Sequence, residues 1–203
     1  MKLLINTTSP YGRIARICLL EKDFDFEVHY VNPWADDPEL MKANTAGRVP
    51  ALVLDDGRAL TESLLIALWA ETEKPEPSLL NVHPAAVIEL AGVAMGVTEA
   101  AVHTLVGRLI TSGAITEPAF DDAPVGQRRR RSMITGLERF DALLGESHSI
   151  PLNLGLIAGI VALDYVEFRF PGAAWIPGVA TLRALKEAHA ARPSIADTAP
   201  REG

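Results

Sequence analysis

Four residues near the amino terminus carry the clearest chemical signal in this chain: Ser9-Pro10-Tyr11-Gly12, set between the apolar run Leu3 to Ile5 and a helical pattern that begins near Arg13. A Cys-Pro-Tyr-Cys turn in that setting exchanges disulfides by attack of a thiolate. Here a hydroxyl stands where the first cysteine would be and a glycine where the second would be, so the turn brings no sulfur of its own. What remains is a device for holding and activating a thiol that arrives from elsewhere. Ser9 is also placed to cap the helix, with Pro10 at its first position. The two roles are compatible, because a cap points to the place where the helix dipole favours an anion. Thr8 offers a rival hydroxyl one residue earlier.

Other chemistries find less support. Cys18 is the single cysteine and falls on the apolar face of the first helical pattern, which reads as a small buried hydrophobe. One cysteine excludes an internal disulfide framework and fits a reducing compartment. His29, His83, His103, His148 and His189 show no metal-ligand spacing, so no metal is expected. No Gly-x-Ser-x-Gly, P-loop or dinucleotide fingerprint occurs. The run Arg128–Arg131 follows Asp121 and Asp122 in a chain of formal charge −7, which favours a solvated helix face or a subunit contact over nucleic acid. The Leu3 to Ile5 run is far shorter than a secretory segment needs, and no membrane partner is expected; cytoplasmic residence is the expectation.

The elements that must position Ser9 follow from periodicity. Lys2–Asn6 reads as a strand, Tyr11–Lys22 as a helix, Phe26–Tyr30 as a strand and Pro38–Ala43 as a short helix. Ala51–Leu54 and Arg58–Leu60 read as a hairpin across Asp55-Asp56-Gly57, and Ser63–Glu73 as a helix. The order βαβαββα calls for a mixed sheet of thioredoxin-like topology. Pro75, Pro77, Ser78 and Pro84 then break the pattern. The boundary placed there divides an amino-terminal domain, 1–76, from an all-helical bundle, 83–203. In the bundle, helical patterns cover Val82–Thr111, Val125–Leu144, Leu154–Phe168 and Ile176–Ala191. The third is apolar almost all round and should be the buried central helix. The tail from Asp197 is expected to fray.

An α/β domain followed by a helical one, with these motifs, resembles the glutathione S-transferase family, its bacterial members in particular. The likeness covers essentially the whole chain. Thr8-Ser9-Pro10-Tyr11-Gly12-Arg13 resembles the family's Ser-Pro-aromatic turn, and Asn44 through Leu52 its Asn-Pro-x-Gly-Lys-Val-Pro-x-Leu segment, with Arg48 in place of lysine. Thr61-Glu62-Ser63 matches the Glu/Gln-Ser pair that opens the third helix. Val161 through Pro171, and Arg192-Pro193-Ser194 through Pro200, resemble the ends of many bacterial members. One departure is Asn153-Leu154-Gly155-Leu156, where the family has Ser/Thr-x-x-Asp. Restoring the carboxylate of that reciprocal cap by Leu156→Asp is expected to stabilise the fold.

The resemblance implies glutathione as co-substrate, a hydrophobic electrophile as its partner and a homodimer. Ser9 would activate the glutathione thiol, whose free value near 8.5 can be lowered at a helix amino terminus. Ser63 would receive the γ-glutamyl carboxylate at a helix start, and Glu62 the γ-glutamyl ammonium. Val49 would pair its backbone with the tripeptide at a cis Pro50 corner, with Arg48 reaching the glycyl carboxylate. Tyr11, Trp34, His103 and Arg108 would line the electrophile's pocket. Three alternatives share this fold: a non-catalytic binding or assembly module, a glutathione-dependent isomerase or dehalogenase, and, least favoured, a thiol-disulfide oxidoreductase.

Overall fold

In the computed structural model, which describes residues 1–80, 83–145 and 151–201, the first part of the chain runs β1 (Lys2–Ile5), α1 (Pro10–Glu21), β2 (Glu27–Tyr30), α2 (Pro38–Ala43), β3 (Ala51–Val53), β4 (Ala59–Thr61) and α3 (Ser63–Glu73). The four strands form one sheet in the order β2-β1-β3-β4, with β1 parallel to β2 and the other pairs antiparallel. This is the thioredoxin-like arrangement read from the sequence. Successive side chains of a strand face opposite ways. Leu3 and Ile5 accordingly join Leu19, Leu52 and Ile66 in one core, while Leu4 joins Leu40 and Ala51 in another. Covering both faces explains why the run from Leu3 to Ile5 is apolar without alternation.

Register fixes where the chemistry collects. Leu4 pairs with Ala51, and Ala51 with Thr61. The end of β1, the start of β3 and the end of β4 therefore lie together at one edge of the sheet. The turn into α1, the Val49-Pro50 corner and the turn into α3 all leave from that edge. Gly12 lets α1 sit close to β1: a Cβ there would come within 2.9 Å of Ile5 Cγ2. The glycine in the second cysteine's place is thus also a packing requirement.

The rest is helical: α4 (Pro84–Ser112), a 3-10 turn (Pro118–Asp122), α5 (Pro124–Leu144), α6 (Leu154–Arg169), α7 (Ala180–His189) and α8 (Pro193–Ala196). α6 is the central helix expected, buried along nearly its whole length from Leu154 to Val166. At Gly159 a Cβ would overlap the Phe140 ring of α5, so the glycine admits that ring to the core. α4 is long and apolar enough by length and composition to cross a membrane, with a mean hydropathy of 1.6 over its most apolar stretch. It buries Val87, Leu90, Ala94, Val97 and Leu105 against its neighbours, among them α5 and α6.

Four expectations need correction. The chain forms two compact units, Met1–Val82 with His189–Gly203, and His83–Ala188, so the last residues belong with the first unit and not with the helical bundle of 83–203. Ion pairing is the reason: Arg192 pairs with Glu21 at 2.5 Å, and Ser194 also bonds Glu21. For the same reason the described part of the tail is held, not frayed. Thr198 is buried, accepts from Arg13 Nε at 3.2 Å and donates to the Ser194 carbonyl at 2.7 Å.

The third correction concerns Leu156. Asn153 caps α6 alone, its Oδ1 accepting from Leu156 N–H at 3.0 Å, and Leu156 has 0% of its surface exposed. A carboxylate there would replace a fully buried leucine. The transfer and cavity loss, about 2–5 kcal/mol for leucine truncation, exceeds a cap's ~0.5–2 kcal/mol. The expected sign of Leu156→Asp therefore reverses. The helix expected from Ile176 starts at Ala180, because Val179 just before it stands at φ 33°, outside helical backbone.

Candidate functional site

Ser9 adopts extended backbone at φ −71°, ψ 118° and caps α1, its Oγ accepting from Gly12 N–H at 3.1 Å. That bond uses a lone pair and leaves the hydroxyl proton free to donate at the helix start. Among the described residues nothing accepts that proton. Thr8 is spent differently. Its backbone N–H and its Oγ1–H both reach Asn6 Oδ1, at 3.0 and 2.9 Å. Of the two hydroxyls, Ser9 alone has a proton to offer a ligand.

Across the sheet edge, the Val49-Pro50 bond is cis, as the motif implied. The loop before it is organised by Asn44, which stands at the end of α2. Its Nδ2 donates to the Arg48 carbonyl at 2.7 Å and its Oδ1 accepts from Ala46 N–H at 3.0 Å. Gly47 takes φ 63° and its N–H donates to the Asn44 carbonyl at 2.9 Å, closing the turn. An asparagine two residues before Ala46-Gly47 was the available signal for this turn.

The turn into α3 is the most constrained point of the site. Glu62 sits at φ 66°, a left-handed conformation that non-glycine residues adopt rarely and that gathers at functional sites. Its carboxylate meets Arg48 Nη2 at 2.5 Å. Both side chains are more than half exposed, so the pair contributes under about 1 kcal/mol and cannot be what imposes the strain. The imposing features are backbone ones: Thr61 is locked in the ladder opposite Ala51, and the Glu62 carbonyl accepts the first helical bond, from Ile66 N–H at 3.0 Å.

Ser63 follows at the first position of α3. It is 2% exposed, and its Oγ is closed off from water with no hydrogen-bond partner. An orphaned buried hydroxyl costs about 1–3 kcal/mol relative to a satisfied one. Set at a helix amino terminus, it is a donor awaiting an anion. The structure therefore brings Ser9, Val49, Pro50, Arg48, Glu62 and Ser63 to one edge of one sheet. It also joins Arg48 to Glu62, which the resemblance had assigned to opposite ends of the tripeptide.

The remaining predicted residues do not gather at that edge in the same way. Tyr11 is half-buried in the first turn of α1, and Trp34 is 68% exposed after β2, its backbone N–H bonded to Asn32 Oδ1. His103 and Arg108 lie on α4 in the second unit. His103 is exposed, 3.8 Å from Glu99. Arg108 is buried and committed: Nε donates to Asp121 Oδ1 at 2.8 Å, Nη2 to Asp121 Oδ2 and Nη1 to the Ile115 carbonyl at 3.1 Å. It fastens the 3-10 turn to α4, and three of its five N–H donors are spent there.

Cys18 is fully buried, and burial, with Glu21 next, pushes its thiol up to about 12. It takes no part in thiol chemistry. Among the described residues no group of three or more His, Cys, Asp or Glu side chains is placed to hold a metal; His148 lies outside those residues.

Comparison with known proteins agrees with this geometry. A family model described as glutathione S-transferase, N-terminal domain, matches residues 8–73. A glutathione S-transferase of Methylobacterium radiotolerans, solved in complex with glutathione sulfonate, is 31% identical over 100% of this chain and 95% of its own, with a TM-score of 0.89. One from Methylobacillus flagellatus, solved with GSH bound, is 30% identical over 98% and 99%, with a TM-score of 0.83. An uncharacterized GST-like protein of Escherichia coli is 29% identical over 98% of both chains.

Proposed function

This chain belongs to the glutathione S-transferase family, and on that premise we propose that it binds glutathione at the sheet edge and joins it through its sulfur to an electrophile. The observation that carries the reading is the Ser63 hydroxyl, buried and unpartnered at the start of α3. A ligand carboxylate supplies the acceptor it lacks. The γ-glutamyl end of glutathione has that carboxylate, with an ammonium beside it for Glu62. The Arg48–Glu62 pair opens or is shared when the tripeptide arrives, freeing Arg48 for the glycyl carboxylate. The Val49 backbone at the cis Pro50 corner pairs with the tripeptide as an added strand would.

The cysteinyl sulfur then lies toward the start of α1. There the free Ser9 proton and the helix dipole stabilise its thiolate, which attacks the electrophilic atom of the second substrate and expels its leaving group. Tyr11 and Trp34 contribute the apolar walls for that substrate. The reading extends to a cytoplasmic homodimer whose glutathione domain is the first unit, the returning tail included, and whose helical domain starts at 83.

Ser63→Ala tests the carrying observation. A hydrogen bond to a charged group contributes about 1.5–3 kcal/mol, so the variant should bind glutathione roughly 10–100-fold more weakly, with a raised thermal midpoint in the absence of ligand, because the orphaned hydroxyl is gone. Undiminished affinity would refute the assignment. Tight binding without conjugation of any electrophile in a broad panel would turn the reading toward a binding module.

A further inference from the structure

A recess in the first unit opens beside Ser9, and arginine side chains line it. Its walls come from the end of β1, the outer side of α1, the end of β2 and the returning tail. Ser9, Arg13, Arg16, Tyr30, Asp197 and Arg201 bring its polar chemistry. The space open to the centre of a water-sized sphere is about 20 Å³, enough to seat one small polar group. Among the described residues, Arg13, Arg16 and Arg201 line it together with the carboxylate of Asp197.

The arginines are not equivalent. Arg13 is buried and ties α1 to the tail, through Thr198 Oγ1 and the Ile195 carbonyl, each at 3.2 Å. Its role is structural. Arg16 Nη1 stands 3.4 Å from the Tyr30 hydroxyl, but its Nε is closed off from water and has no partner. A charged donor left unsatisfied costs more than a neutral one. The acceptor that best answers a guanidinium fork is planar, anionic and two-oxygened. Asp197, the one carboxylate among the described residues of the recess, does not bond it.

We propose that this recess holds a carboxylate of the second substrate, so that the electrophile is an organic anion and not a wholly apolar molecule. The anion site stands on the recess alone; its assignment to the second substrate rests on the glutathione reading. With the carboxylate anchored on Arg16 and the Tyr30 hydroxyl, the remainder of the molecule lies against Ser9, where the thiolate is formed. Arg16 is then a specificity-determining residue that touches substrate away from the reacting atoms.

Calorimetry with two unreactive probes of the same shape, 4-nitrobenzoate and its methyl ester, tests this on the full chain saturated with S-methylglutathione. The acid should bind at least about tenfold more tightly than the ester. That preference should fall to within about twofold in Arg16→Gln and return in part in Arg16→Lys, with the affinity for S-methylglutathione unchanged in both. Equal binding of acid and ester, or a preference that survives in Arg16→Gln, overturns the proposal. Failure of S-methylglutathione itself to bind would sink the proposed function instead, and the same two probes on the ligand-free protein would still decide the recess.

Discussion

Thr8 and Ser9 are adjacent hydroxyls of similar acidity, and what separates them is where their protons go. Thr8 gives its proton to Asn6, whereas Ser9 only accepts, from Gly12 N–H. Loss of the Ser9 hydroxyl should therefore remove a charge-assisted bond of about 1.5–3 kcal/mol, lowering kcat/KM at neutral pH roughly 10–100-fold. Thr8→Ala should change it less than about threefold. Equal losses in steady-state kinetics would return the choice to open. Cys18, with its thiol pushed up to about 12 by burial, should resist a thiol reagent in the native protein and react only on unfolding. Rapid labelling of the native chain would contradict its burial. The placement of Ser9 and Ser63 at helix starts and the burial of Cys18 were legible in the sequence because short local patterns determine them. The Arg48–Glu62 contact was not, since it depends on a left-handed Glu62 that a sequence rich in alternatives does not announce. The bond from Arg108 to Asp121 was not legible either, because the partner lies thirteen residues on, across a 3-10 turn that periodicity passes over.

At the scale of elements, the strands and helices around the site follow from apolar spacing and from proline and glycine punctuation, and the structure moves their ends by a residue or two. What spacing does not reveal is how tightly a capped end is packed. The start of α6 has a cap residue in Asn153, and the open question was whether its missing carboxylate is a defect. Full burial of Leu156 says that the space is already filled by a hydrocarbon. Leu156→Asp should lower the thermal midpoint, by several degrees for a net loss near 2 kcal/mol in a chain of this size. A raised midpoint would mean that the carboxylate can reach the Asn153 N–H after all. The tail was missed for a related reason: Arg192, Ser194 and Thr198 look solvent-facing by composition, and only their partners Glu21 and Arg13 on α1 show that they are anchored.

For the whole molecule, the anchoring groups give stability a direction in pH. Burial pushes the Glu21 carboxyl up, but bonds from Arg192 and Ser194 outweigh it and hold the group below its ordinary value. Glu71 behaves alike, burial being outweighed by Lys22, Ser78 and the Leu79 N–H. His189 is lowered by burial and by the neighbouring charge of Arg192. In all three cases the unfolded chain binds protons first as pH falls. Stability should thus decline from near pH 6.5 as His189 contributes, and more steeply below about 4.5 as the carboxylates do. Urea unfolding from pH 7 to 4 should show this decline, flattened at its acidic end in Glu21→Gln; parallel curves for the two proteins would deny Glu21 its part.

The most direct test of the central claim follows the ultraviolet absorbance of the glutathione thiolate in complex with the protein as pH is varied. A sulfur held against Ser9 and the start of α1 should ionise about one to two units below the free thiol's value near 8.5. A midpoint equal to that of free glutathione, with the complex demonstrably formed, would contradict it.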